Sequence, residues 1–138
     1  MAGKLTRLQL TYKIEDADGI AMYTGVTYGD NEGGCKKPTA DGQYPLGVVD
    51  NDERLDIPYQ ASGDQSGRDV AVKVELIADV LLSGVVAYGD EVILKTGGAV
   101  MKLPTDAGSY WVLGRAEKAG VDGDVIPVRF EKRFVVVA

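Results

Sequence analysis

At 138 residues the chain is long enough for one domain that buries roughly two-thirds of its unfolded surface without covalent staples, and its 18 glycines and many valines suit short strands joined by tight turns. Its 15 Lys+Arg against 21 Asp+Glu, with no histidine, leave a net charge of −6 that repels phosphate and excludes nucleic acid as a partner. No apolar run reaches the ~18 residues of a membrane span, Met1-Ala2-Gly3-Lys4-Leu5 lacks the apolar core of a signal peptide, and the single Cys35 has no partner for an internal disulfide, so folding in a cytoplasm with no membrane partner is expected.

In chain order, Leu8, Leu10, Tyr12 and Ile14 alternate with Arg7, Gln9, Thr11 and Lys13, the period-2 pattern of an amphipathic first strand. Glu15-Asp16-Ala17-Asp18-Gly19 closes it as a turn. A second strand is predicted over residues 20–28, ended by Gly29-Asp30-Asn31-Glu32-Gly33-Gly34, where positive φ is cheap. Cys35-Lys36-Lys37 reads as a short exposed strand, and residues 44–49 as an edge strand, because Pro45 lacks the donor that a central ladder requires. Between Asp50 and Arg68 the alternation fails and turn formers crowd in, which predicts a long surface loop.

The longest strand-like run lies between Gly67 and Asp90, with Val70, Val72, Val74 and Leu76 on one side and Ala71, Lys73 and Glu75 on the other. Residues 91–95 and 99–103 flank Thr96-Gly97-Gly98 as a hairpin. A strand over 110–115 carries the only tryptophan, Trp111; residues 116–120 suit one helical turn, and 125–130 a further strand. Phe134-Val135-Val136-Val137 is apolar on both faces and is expected to be buried or paired, since a free apolar edge invites aggregation. No segment shows a helical i, i+3, i+4, i+7 stripe, so the fold class is all-β: a compact barrel-like domain with little helix.

Four blocks recur in the same order. Val26-Thr27-Tyr28-Gly29-Asp30 matches Val86-Ala87-Tyr88-Gly89-Asp90, and Pro38-Thr39-Ala40-Asp41-Gly42-Gln43-Tyr44 matches Pro104-Thr105-Asp106-Ala107-Gly108-Ser109-Tyr110. Leu46-Gly47 echoes Leu113-Gly114, and Gly67 with Val70-Ala71-Val72-Lys73-Val74-Glu75 echoes Gly123 with Ile126-Pro127-Val128-Arg129-Phe130-Glu131. Two copies are too few for a solenoid or propeller, so an internal two-fold repeat within a closed or sandwiched β domain is expected.

Residues with chemistry are few. Without histidine, Ser62, Ser66, Ser83 and Ser109 lack the usual base, and none sits in a nucleophile elbow. Cys35 lies among lysines that would lower its pKa, against the blander reading of an incidental thiol, which is preferred. Asp16-Ala17-Asp18-Gly19 opens like a calcium loop without its closing glutamate, and Asp50-Asn51-Asp52-Glu53 lacks the glycine turn, so both read as solvated turns. One cysteine and no histidine cannot assemble a usual zinc set. Residues 29–34 lack the Gly-Lys-Ser/Thr ending of a phosphate loop. The seven tyrosines suit strand ends or protein interfaces. No enzyme, cofactor or metal is expected.

The order of several glycine-based blocks resembles the capsid cement, or head decoration, proteins of tailed bacteriophages. The likeness rests on Ile20-Ala21 through Val26-x-Tyr28-Gly29, Leu46-Gly47-Val48, Gly67 with Val72-x-Val74, and Leu82-Ser83-Gly84-Val85-Val86. It continues through Gly89-Asp90, Gly97-Gly98-Ala99-Val100, Leu113-Gly114-Arg115-Ala116 and Gly120-Val121-Asp122-Gly123-Asp124-Val125-Ile126-Pro127-Val128-Arg129. It divides the chain into an N-terminal strand or arm (1–15), a decoration-like core (18–130) and a C-terminal strand (131–138). The resemblance implies a β-barrel or β-tulip domain that forms a homotrimer and binds the major capsid protein. Its place would be the outer surface of the expanded shell, at threefold and quasi-threefold axes, stabilising it against packaged DNA. The departures are residues 4–14 and 50–68. The alternating or apolar terminal strands make Leu8, Leu10, Tyr12, Ile14, Phe134 and Val136 the candidate partner interface, by β-augmentation. Alternatives are a tail-tube or head-fibre base protein, or a carbohydrate-binding module built on Trp111 and the tyrosines.

Overall fold

The computed structural model of the chain describes residues 8–50 and 64–138. Among these residues all regular structure is β, in ten strands: β1 (Leu8–Ile14), β2 (Thr24–Tyr28), β3 (Gly34–Lys36), β4 (Gly47–Val49), β5 (Asp69–Glu75), β6 (Ile77–Leu81), β7 (Glu91–Leu94), β8 (Val100–Lys102), β9 (Gly108–Ala116) and β10 (Val125–Val137). The first five close a barrel in the order β1-β3-β2-β4-β5, and the last five form a sheet in the order β6-β10-β9-β7-β8.

The two halves repeat one plan. Exchanging β1 to β5 for β6 to β10 in turn reproduces every antiparallel ladder of the first half: β1–β5 becomes β6–β10, β4–β5 becomes β9–β10, β2–β4 becomes β7–β9, and β2–β3 becomes β7–β8. The parallel β1–β3 pair, which includes Ile14 opposite Cys35, has its counterpart in the lone parallel bridge between Leu82 and Val100, where the two edges of the second sheet meet. Hydrogen bonds repeat as well. Ile14 N–H donates to Arg68 O while Ile14 O accepts from Gly67 N–H, as Leu82 N–H donates to Asp124 O while Leu82 O accepts from Gly123 N–H. Gly67 and Gly123 both hold positive φ (82° and 89°) in the turns that enter β5 and β10, a conformation glycine adopts without the Cβ penalty.

Three of the four sequence blocks therefore coincide with structural equivalents. Gly47 and Gly114 are the sharpest case: an added Cβ would collide with the carbonyl oxygen of Lys73 at one and of Arg129 at the other. The remaining block is a correction. Val26 faces Gly47 as Val92 faces Gly114, so Val26 matches Val92, and residues 86–90 match the turn leading into β2. Tyr23 holds φ 70° in that first turn where Gly89 holds 86° in the second.

Other expectations are revised. The run after Gly67 is two strands, broken at Leu76, whose φ of 78° carries the chain from the barrel into the second sheet. β4 is central, because Pro45 lies outside it and its pairing to both β2 and β5 is intact. Its side chains face two ways: Val48 joins the core of the second half with Val80, Leu94 and Leu113, while Val49 joins the barrel core with Ile14, Val26 and Val72. One strand thus walls both cores, each fully buried valine contributing about 1.5–3 kcal/mol. Residues 116–120 form no helical turn; Glu117 and Lys118 are a bend. Most of the expected 50–68 loop, residues 51–63, lies outside the described residues, but Asp50 and Gln65 at its ends are buried.

Candidate interaction surface

An aromatic row crosses the seam between the halves. Tyr28 ends β2 and stacks on Tyr44, with ring centroids 5.6 Å apart. Tyr44 meets Trp111 edge-on at 5.0 Å, and Trp111 meets Phe134 at 5.4 Å, those two lying opposite each other on β9 and β10. The turn through Gly42 holds the row in place: Gly42 N–H donates to Leu94 O (2.8 Å) and Trp111 N–H donates to Gly42 O (2.9 Å). Each such ring pair adds ~0.5–1.5 kcal/mol beyond its buried area. Beside it Lys132 donates to Leu46 O at 2.7 Å, with its ammonium 5.6 Å from the Tyr44 ring centre and 5.5 Å from that of Phe130. Burial pushes its pKa down, against the pull of Glu75.

β10 outruns its neighbour on one side. β6 pairs with it only from Val125 to Arg129, and Phe130 N–H then donates to Leu76 O at 2.8 Å. Where the strands part, a groove of about 700 Å³ opens between Val74, Leu76, Ile77, Phe130 and Lys132. From Arg133 to Val137 β10 pairs with β9 alone among the described residues. Successive backbone groups of a strand point to opposite sides, so this stretch presents an unpaired edge.

The candidate interface residues divide between the two halves. Phe134 and Val136 lie on the free stretch of β10, 53% and 69% exposed. They are paired to β9 as expected, yet they are not buried. Leu10 is 47% exposed, Tyr12 packs partly against the barrel core, and Ile14, at 1%, is inside that core and is not presented to a partner. Leu8 lies opposite Glu75. β1 is a stave of the barrel, paired to β5 along its length and to β3 at Lys13 and Ile14, so over the described residues it offers no free arm. Residues 1–7 lie outside them. A second apolar group, Val85, Tyr88 and Val121, is exposed on turns that the Val86–Gly120 bridge brings together.

Elsewhere the groups with chemistry serve the fold. Cys35 is fully buried, not on an exposed strand; burial first, then Asp16 and Glu15, pushes its thiol up to about 12, so the lysines beside it in sequence do not activate it. The backbone N–H groups of Asp30 and Asn31 donate to the Glu15 carboxylate (2.7 and 2.9 Å), which fills the concave side of the glycine-rich loop. Asp16 accepts from Lys37 N–H, and Asp18 pairs with the Lys37 ammonium at 2.9 Å, which holds the Asp18 carboxyl below its ordinary range. Asp50, expected in a solvated turn, is buried; it accepts from the Lys73 ammonium at 2.5 Å and from Asp79 N–H at 3.1 Å, linking barrel to second sheet. The roles of Lys132 and Asp50 were beyond sequence reasoning: Lys132 lies in no motif, Asp50 reads as part of a polar turn, and the alternation of β5 sets Lys73 on the side opposite its valines, with no mark of a buried partner.

No family model and no curated protein matches the chain. Among solved structures, its fold is similar to that of the head fiber gp8.5 N base in bacteriophage phi29, with a TM-score of 0.62 over 90% of this chain and 95% of that one, at 12% identity. That likeness is one of all-β architecture extending over nearly the whole of both chains.

Proposed function

We propose that this chain is a structural protein of a phage head that seats on the outer surface of the expanded shell by protein contacts and reinforces it. The observation that carries the reading is the whole-chain likeness in fold to a phage head-fiber base. The resemblance of the order of glycine-based blocks to that of cement proteins is in keeping with the same location. Exposed apolar side chains on β10 and on the turns around Val85 supply the kind of surface such contacts use, and many modest contacts combine through multivalency on a repeating shell. In the cement form of the proposal, trimers occupy the threefold and quasi-threefold sites and bind the major capsid protein.

A second reading is favoured by the phi29 likeness: the chain is the base of a head fiber, which attaches to the shell without strengthening it. Both are tested by mixing the purified chain with expanded empty capsids of its phage, measuring co-sedimentation, and then heating the complexes. Binding with a raised capsid rupture temperature supports the cement role. Binding without that rise supports the fiber base. A chain left in the supernatant contradicts both.

A further inference from the structure

We propose that the groove between Leu76, Ile77 and Phe130 receives an acidic side chain of a partner protein, one Asp or Glu set between apolar neighbours, with its carboxylate bound by the Lys132 ammonium. On the head-protein reading, on which the partner's identity rests, that partner is the shell protein. Lys132 supplies the first ground. An ammonium carries three donors, and among the described residues Lys132 uses one, toward Leu46 O at 2.7 Å. Tyr44 and Phe130 offer it only ring faces, at 5.6 and 5.5 Å. No carboxylate of the described residues pairs with it, and Arg129, the other cation in the groove, is already held by Glu117 at 3.2 Å. A half-buried charge without a counter-ion is costly, and burial pushes the Lys132 pKa down against the pull of Glu75. An entering carboxylate offsets that cost.

The surroundings select the occupant. Val74, Leu76, Ile77 and Phe130 give the groove apolar walls, and its volume of about 700 Å³ admits a few side chains. A free small molecule is a poor fit, because ligand clefts enclose most of their ligand, whereas Leu76 and Ile77 stay 40% and 42% exposed. A side chain delivered by a protein that also binds the surrounding surface needs no such enclosure. A run of acidic residues is disfavoured as well: Glu75 lines the same groove and the chain carries a net charge of −6, so each further carboxylate meets repulsion. One carboxylate with apolar flanks is the chemistry that remains. The walls are set before any partner arrives, since Phe130 N–H donates to Leu76 O at 2.8 Å where β5 gives way to β6.

The test titrates the full chain with two capped peptides, Ala-Val-Glu-Val-Ala and Ala-Val-Gln-Val-Ala, at millimolar concentration, and follows Leu76, Ile77 and the Lys132 side chain by NMR. The glutamate peptide is expected to shift those signals, and the glutamine peptide to bind about tenfold more weakly for want of a bond between charges. Ile77→Glu, which adds a negative charge at an exposed position, is expected to abolish the response with the fold intact, and Glu75→Gln to strengthen it about two- to threefold. In a second arm, Lys132→Met and Ile77→Glu are each expected to lower the affinity for expanded empty capsids about tenfold in co-sedimentation. The peptide arm involves no capsid, so a chain that discriminates the peptides yet stays off the shell overturns the head reading alone. Equal affinity for the two peptides, no response to either, or shell binding unmoved by both variants overturns the groove proposal.

Discussion

Lys73→Met isolates one buried ion pair at the junction of the two halves. The Asp50 side chain is 4% exposed and that of Lys73 13%, with the ammonium 2.5 Å from the carboxylate, and the same Asp50 oxygen accepts from Asp79 N–H on β6. Methionine keeps the length of the lysine stem but leaves the carboxylate without its counter-charge in a desolvated site, at a cost of about 3–5 kcal/mol. With an unfolding entropy of about 2.1 cal/mol/K per residue, each kcal/mol lowers the Tm of a chain this size by roughly 3–4 °C, so a fall of about 10–17 °C is expected by calorimetry. Replacing both partners, Asp50→Leu with Lys73→Met, removes both desolvated charges and forfeits only the Asp79 bond, about 1 kcal/mol. The double variant should therefore recover most of the loss. A fall under about 3 °C for Lys73→Met, or a double variant no better than the single, would refute the reasoning.

Further outcomes follow from the fold. Gly47→Ala and Gly114→Ala each drive a Cβ into a neighbouring strand's carbonyl and should cost about 1–3 kcal/mol or more in urea unfolding, at positions related by the repeat. Gly123→Ala meets open space but requires φ 89°, and should cost about 1–2 kcal/mol from the backbone alone. The Cys35 thiol is raised from 9.0 to about 12, so its contribution to stability is complete below pH 9 and is lost as the pH climbs from there toward 12. Denaturation curves across that range should show the decline, and Cys35→Ala should flatten it. Thiol reagents at pH 8 should leave Cys35 unmodified until the chain is unfolded.

Much of this architecture was legible because glycine and alternation are local signals. The 91–103 hairpin, the first strand and the equivalence of Gly67 with Gly123 follow from turn chemistry and period-2 patterning, which do not depend on distant partners. What failed was non-local. Cys35 looked exposed between two lysines and two glycines, yet its strand closes the barrel between β1 and β2. Pro45 suggested an edge, but the strand begins two residues later and serves both cores. The Leu76 break was hidden within an alternating run, because a leucine at positive φ carries no sequence mark. Of the surface, Phe134 and Val136 were legible as an apolar tail; that their strand outruns β6 depends on a register no short window contains. Ile14 shared the alternation of Leu10 and Tyr12, but barrel closure buries that end of the strand.

Immunogold electron microscopy of purified virions, with antibody raised against this chain, addresses the head location most directly. The account predicts gold over the outer surface of filled heads, at positions distributed around the shell. Gold confined to tails, or virions that carry no label while the chain remains free in the lysate, would contradict it.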